Sequence, residues 1–253
     1  MMLDSSIGEA RYVIAQPSLS TETISKPIPF KSEAALVHAA KRIVAPLLGD
    51  VVRLTDEFNC ENGIADLVVY QLQQNWRLSA NLQYLSPRWA AALRALPYRR
   101  GFAVDWFGAC NLVTRQRALE ALREYELAGY CERTSDKNKW IKVRQPRPIT
   151  TQICAIEAKL RDWRRALSQA ARYRAFAHQA WVLLDGASIK PALANLDQFV
   201  RLNVGLASIS VDGEFFHYHI PEKREPSDPW RFWLASVLIA RAVTQPNDAG
   251  NAS

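Results

Sequence analysis

Two apolar, strand-like runs that carry charge restrict this chain more than any other feature. Gly63-Ile64-Ala65-Asp66-Leu67-Val68-Val69-Tyr70 holds one carboxylate in an otherwise mostly apolar run. Ile156-Glu157-Ala158-Lys159-Leu160 holds a carboxylate and an ammonium two residues apart. A charge taken out of water without a partner is expensive, so a fold that uses both runs as strands must bring partners to Asp66, Glu157 and Lys159. Residues i and i+2 of a strand share a face, which puts Glu157 and Lys159 on the same side. Taken alone, that pair reads as an ion pair on an edge strand. The aspartate on a second apolar strand shifts the reading, because two nearby carboxylates repel unless a hard cation lies between them. Mg²⁺ is commonly held by one or two carboxylates and keeps waters and a substrate phosphate as its other ligands.

The elements around these runs follow from periodicity. Lys31–Leu48 has apolar residues at helical spacing, with Ser32 as N-cap and Gly49 as stop. Asp50–Thr55 and Ile64–Leu72 read as strands about a polar turn. Thr151–Leu160 reads as a strand, Asp162–Gln179 as a helix, Ala180–Leu184 as a strand and Lys190–Leu202 as a helix. Leu206–Val211 and Glu214–Ile220 form a hairpin about Asp212-Gly213. The order is α-β-β, an interruption, then β-α-β, which predicts an α/β layer architecture with a second module set into it. On the helix after Lys159, Gln169 and Tyr173 are four residues apart and share a face.

Charge marks the interruption. Residues 73–148 carry fourteen basic and six acidic side chains, a net +8, against +7 for the whole chain. The remainder is therefore close to neutral, and the asymmetry suggests a polyanion-binding module in a near-neutral body. Within it, Arg88–Ala95, Val104–Ala109 and Thr114–Leu127 read as helices. Tyr130–Arg133 and Lys139–Val143 read as a hairpin with a basic tip.

Asp66, then Glu157-Ala158-Lys159, then Gln169-x-x-x-Tyr173 resembles the PD-(D/E)XK nuclease superfamily, in particular its RecB-like branch. The resemblance covers roughly residues 31–72 and 149–220 and rests on the order of short motifs on strand, strand and helix. It implies a restriction-endonuclease-like mixed sheet flanked by helices and a divalent-metal phosphodiesterase site. Asp66, Glu157 and the Ala158 carbonyl would bind Mg²⁺ (or Mn²⁺). Lys159 would be the catalytic lysine, Gln169 and Tyr173 would support the site, and Glu33 would be an outer-shell acid. The separation of Asp66 from Glu157, 91 residues, exceeds the usual short connection, and an insertion accounts for it. Asp56 and Glu57 are rivals for the first carboxylate, with poorer strand context.

The insertion resembles a winged helix-turn-helix. Arg115, Gln116 and Arg117 would open its recognition helix and reach base edges. Lys137, Lys139 and Lys142 would sit on or beside the wing and meet phosphates. Arg164 and Arg165, on the helix after Lys159, are further candidates for phosphate contact. The expectation is a DNA nuclease that docks duplex DNA. Its alternatives are a catalytically inactive DNA-binding regulator and an assembly subunit docking through the apolar helix Trp230–Val243.

The domain expectation is a loose arm at 1–30, a discontinuous core at 31–72 and 149–225, and the insertion at 73–148. A helix at 226–244 and a tail at 245–253 complete it. The four cysteines form no C-x-x-C pair or disulfide framework, and four buried or partly buried free thiols are expected. The N-terminus lacks the charge and apolar pattern of a signal peptide. No run reaches the ~20 apolar residues that span a bilayer. Together these suggest a soluble, cytoplasmic, DNA-associated protein with no membrane partner.

Overall fold

The computed structural model of the chain describes residues 28–47, 52–61, 63–75, 81–136 and 138–244. Residues 1–27 of the expected arm, Lys137 and the tail at 245–253 lie outside the described residues.

The body is α/β, built on a mixed six-stranded sheet flanked by helices. Helix α1 (Glu33–Leu47) precedes the antiparallel hairpin of β1 (Val52–Asn59) and β2 (Ile64–Leu72). Strand β6 (Thr150–Lys159) lies antiparallel to β2, and β7 (Gln179–Asp185) and β8 (Gly205–Ile209) continue in parallel. The last strand, β9 (Phe215–His219), returns antiparallel to β8. Between β6 and β7 the chain crosses through α5 (Trp163–Tyr173). Such a crossover is what parallel neighbours require.

Each face of the sheet buries its own apolar set. Leu36 and Ala40 of α1 pack with Leu67, Val69, Ile156, Ala158 and Leu183 on one face. Val68, Tyr70, Ile153, Ala155, Val182 and Leu184 line the other, against Ala166, Leu167, Ala170 and Tyr173 of α5. With both faces covered, the middle of β6, Ile153–Ile156, is continuously apolar rather than alternating. At Gly205 a side chain would collide with the Trp181 ring at 2.3 Å, so only glycine lets β8 pair with that part of β7.

Residues between β2 and β6 form a second structure. Helices α2 (Ala90–Ala95), α3 (Val104–Cys110) and α4 (Arg115–Leu127) accompany a three-stranded antiparallel sheet. Its strands are β3 (Gly101–Ala103), β4 (Cys131–Arg133) and β5 (Lys139–Lys142), in the order β3-β5-β4. Thr114 caps α4 by accepting the Arg117 amide (3.4 Å).

Helices α6 (Lys190–Leu193) and α7 (Leu196–Leu202) follow β7, and α8 (Pro229–Thr244) closes the described chain. Helix α8 corrects one expectation. Its Trp233, Leu234, Val237, Ile239 and Ala240 are buried in the same core as the insertion. Trp233 donates its indole hydrogen to the Ala90 carbonyl (2.9 Å) and packs edge-on against Tyr130. Ser236 accepts the Ile149 amide (2.6 Å). The apolar stripe read as a docking face for another subunit is covered by this chain's own insertion.

Smaller differences have local causes. Helix α5 stops at Tyr173 rather than Gln179, because the amides of Phe176 and Ala177 both turn back onto the Tyr173 carbonyl (3.0 and 2.8 Å). The helix expected over Lys190–Leu202 is broken at Ala194–Asn195. Strand β1 runs on to Asn59, past the expected Thr55. The three-residue β3 is too short to show a periodicity and has no counterpart in the sequence reading. Cys60 and Cys131 are buried and Cys154 is partly so, but Cys110 is exposed, against expectation.

Candidate active site

The charged residues of β2 and β6 converge on one lysine. Leu67 pairs with Ile156, so the antiparallel register carries Asp66 opposite Glu157. The Asp66 carboxylate accepts the Ala158 amide at 2.7 Å, which fixes it against the neighbouring strand. Lys159 Nζ lies 3.1 Å from Glu157 Oε1, 3.1 Å from Glu33 Oε2 and 3.7 Å from Asp66 Oδ2. It also donates to the Ala158 carbonyl at 3.1 Å. An ammonium has three hydrogens, and Glu157, Glu33 and Ala158 use all three. Helix α1 thus delivers Glu33 from the opposite side of the sheet to the end of β6.

Helix α5 closes the site from its own face. Tyr173 is buried, and its single hydroxyl hydrogen serves two acceptors, Glu157 Oε2 and the Ile64 carbonyl (2.7 Å). Gly63, just before β2, has a φ of +118°, a backbone conformation that residues with a side chain rarely adopt. Gln169 lies one turn before Tyr173, and its side-chain oxygen is buried with no hydrogen-bond partner. A buried amide oxygen left unpaired is costly.

The electrostatics follow from burial. The Glu157 side chain is 1% exposed and that of Lys159 14% exposed. Burial raises the Glu157 pKa above the ordinary carboxylate range. Nearby Asp66 adds to the rise, while Tyr173 and Lys159 oppose it. Burial pulls Lys159 down, but Glu157, Asp66 and Glu33 outweigh it and hold the amine above its usual value. Lys159 is therefore a firmly charged ammonium in this arrangement. Burial and the Glu157 carboxylate push the Tyr173 phenol far up, so it stays a neutral donor.

Beside this cluster is a cleft of about 470 Å³, lined by residues that include Phe30, Lys31, Glu33, Arg161 and Asp185. Asp185 lay outside the sequence reading. Its carboxylate is buried at the end of β7 and accepts the amides of Phe30 (2.8 Å) and Ala187 (2.9 Å). It anchors the chain just before α1 and so sets where Glu33 stands. The Leu184-Asp185-Gly186 step at the end of an apolar strand is the signal that points to it. The rival carboxylates are placed elsewhere: Asp56 is exposed and paired with Lys41, and Glu57 is exposed on β1.

Asp66, Glu157, the Ala158 carbonyl, Lys159, Tyr173 and Glu33 are thus brought together. Among the described residues no group of three or more His, Cys, Asp or Glu side chains is arranged to hold a metal. Two carboxylates and a main-chain carbonyl are nonetheless a hard-oxygen set of the kind Mg²⁺ accepts. In this structure those oxygens surround the Lys159 ammonium.

The proposed DNA-contacting residues divide. Arg115, Gln116 and Arg117 are exposed at the start of α4. Arg115 pairs with Asp105 (3.1 Å) and donates to Asn138 (2.9 Å), tying α4 to the hairpin. Arg117 pairs with Glu120 (2.9 Å) and Lys139 with Asp136 (3.2 Å). Lys142 corrects the reading. It is buried, and its ammonium donates to the carbonyls of Leu93 (3.3 Å) and Arg94 (3.2 Å) near the end of α2. A cation used to cap a helix C-terminus is withdrawn from the surface and meets no phosphate. Arg164 and Arg165 are exposed on α5, with Arg164 over the Trp163 ring (4.5 Å).

No helix of the described residues is long and apolar enough to cross a membrane. No family model, no curated protein and no solved structure matches this chain.

Proposed function

We propose that the chain is a divalent-metal-dependent deoxyribonuclease of the PD-(D/E)XK type, with a winged-helix insertion that docks duplex DNA. One observation carries the reading. Asp66, distant in sequence from Glu157 and Lys159, meets them at the end of β6, with Tyr173 on the buried carboxylate. A core that needed only an ion pair has no use for three carboxylates on one ammonium.

Asp66, Glu157 and the Ala158 carbonyl would hold Mg²⁺ (or Mn²⁺), which supplies Lewis-acid polarisation of a phosphoryl oxygen and a water of lowered pKa. Lys159, as an ammonium, offsets charge developing on the phosphate. Tyr173 fixes the rotamer of Glu157, and the unpaired Gln169 oxygen stands ready to orient a donor at the site. In the insertion, α3 and α4 with the β4–β5 hairpin support the winged-helix reading, with Arg115, Gln116 and Arg117 where base edges are read.

The test is cleavage of plasmid and linear DNA with Mg²⁺ or Mn²⁺. Activity is expected from the wild type, lost on adding chelator and in Glu157→Ala. A second reading, an inactive DNA-binding regulator, is favoured by the same ammonium, which already balances the carboxylates without a metal. Duplex binding without metal-dependent cleavage would establish it.

A further inference from the structure

We propose that the phosphate-gripping surface of the insertion is a strip of three arginines at the base of its hairpin, Arg99, Arg100 and Arg144, and that its ligand is the backbone of duplex DNA. This rests on the DNA-binding reading above and moves the grip away from the recognition helix.

The ion pairs carry the argument. Among the described residues, four cations at the start of α4 and on the hairpin each stand beside a carboxylate. Arg115 pairs with Asp105, Arg117 with Glu120, Lys139 with Asp136 and Arg133 with Glu126. Each such pair contributes close to zero net charge, so a phosphate approaching there meets carboxylates along with the arginines. Lys142 has been removed to the interior. Among the described residues of the insertion, the exposed arginines without an ion pair are Arg94, Arg99, Arg100, Arg123, Arg144 and Arg147, and Arg99, Arg100 and Arg144 are the ones set at the base of the hairpin.

Arg99, Arg100 and Arg144 are exposed, and none of them stands in an ion pair with a described carboxylate. The backbone brings them together. The Arg99 amide donates to the Lys142 carbonyl (3.0 Å), Tyr98 bridges to Lys142, and Gly101 pairs with Ile141. Residues 98–101 thus run beside 141–142, and Arg144 follows two residues after Lys142, where its amide turns to the Tyr130 carbonyl (3.4 Å). Arg99 adopts a left-handed φ of 56°, which turns the chain into β3, and its guanidinium lies over the exposed Tyr98 ring at 5.2 Å. The carboxylate nearest in the sheet register, Glu132 opposite Ile141, makes no ion pair with them.

Phosphate contacts position a protein on DNA, whereas base contacts specify the sequence. The strip supplies the first and the start of α4 the second. Each phosphate neutralised contributes about 0.9 to the slope of log affinity against log salt, so three arginines account for about 2.7 of it.

The experiment measures binding of the full chain to a short fluorescent duplex in chelator, across roughly 50–200 mM salt. Arg99→Asn/Arg100→Gln/Arg144→Gln is compared with Arg115→Gln/Arg117→Gln. Asparagine suits the left-handed position at 99, and a circular-dichroism melt matching the wild type verifies folding. Arg100→Glu is a second, single-site probe. The triple variant is expected to lose about 2 to 3 of the slope, by the per-phosphate value, and Arg100→Glu to bind more weakly than wild type. The α4 variant is expected to keep most of the slope. If the α4 variant loses the slope and the triple variant keeps it, the strip is wrong and the DNA-binding reading stands. If the wild type shows no salt-dependent duplex binding, or binds only anionic vesicles, both readings fail.

Discussion

The molecule handles charge in two opposite ways. At the end of β6, three carboxylates share one ammonium, with Glu157 almost wholly buried and Asp66 and Glu33 partly exposed. On the insertion, Arg115 and Arg117 each pair with a single carboxylate at the surface. Removing one partner from a buried cluster leaves an unsolvated charge and costs several kcal/mol. An exposed pair is largely replaceable by water and salt. The buried cluster is thus costly to disturb, whereas the surface pairs adjust local charge at almost no cost.

The sharpest way to break this contrast is Lys159→Ala, assayed by urea unfolding in chelator. Loss of about 3–5 kcal/mol is expected, since Glu157 is left buried without its cation. The apolar double variant Glu157→Leu/Lys159→Met should recover most of that loss. If Lys159→Ala unfolds at the wild-type midpoint, Glu157 is not the uncompensated charge described here.

His178 sharpens the contrast from a third position. Its Nδ1 accepts the Ile153 amide (3.0 Å), so the ring is neutral with its hydrogen on Nε2, and it packs edge-on against Phe232. Burial lowers its pKa, against the upward pull of Glu225. With the folded pKa below the unfolded value of about 6.5, the unfolded chain takes up the proton first on acidification. Stability therefore holds above about pH 6.5 and falls below it. His178→Asn keeps an acceptor without a titrating ring, and its urea midpoint should depend less on pH between about 7 and 5.5. An unchanged slope would show that His178 does not contribute.

The smallest effect belongs to Arg117→Ala, which breaks the pair with Glu120 at the start of α4. A loss of under about 1 kcal/mol is expected, read by the same urea titration. A loss comparable to that of Lys159→Ala would erase the distinction between the two regions.

Much of the site was legible because strand geometry is strict. With a side-chain period of two, Glu157 and Lys159 had to share a face, and the apolar runs about Asp66 and Glu157 marked both strands as buried. The i, i+4 spacing likewise put Gln169 and Tyr173 on one side of α5. What stayed hidden depends on tertiary contacts. Lys142 looks like its exposed neighbour Lys139, and only the nearby end of α2 draws its ammonium inside. The apolar face of α8 looks like an interface because an isolated helix sequence does not say which part of its own chain will cover it. Charge composition located the excess in the insertion, but not its distribution, because Asp105 and Arg115 are ten residues apart and meet only through the packing of α3 on α4.

The central claim is that the buried cluster exists for phosphodiester chemistry. The direct test is the rate of duplex DNA cleavage by wild type and Lys159→Ala with saturating Mg²⁺ or Mn²⁺, at a denaturant-free temperature where both are folded. The account predicts metal-dependent cleavage by the wild type and a fall of about 10²–10³ in the variant, the size seen when one charge-stabilising group is removed. Equal rates for the two proteins, or no cleavage by the wild type with either metal, would contradict it.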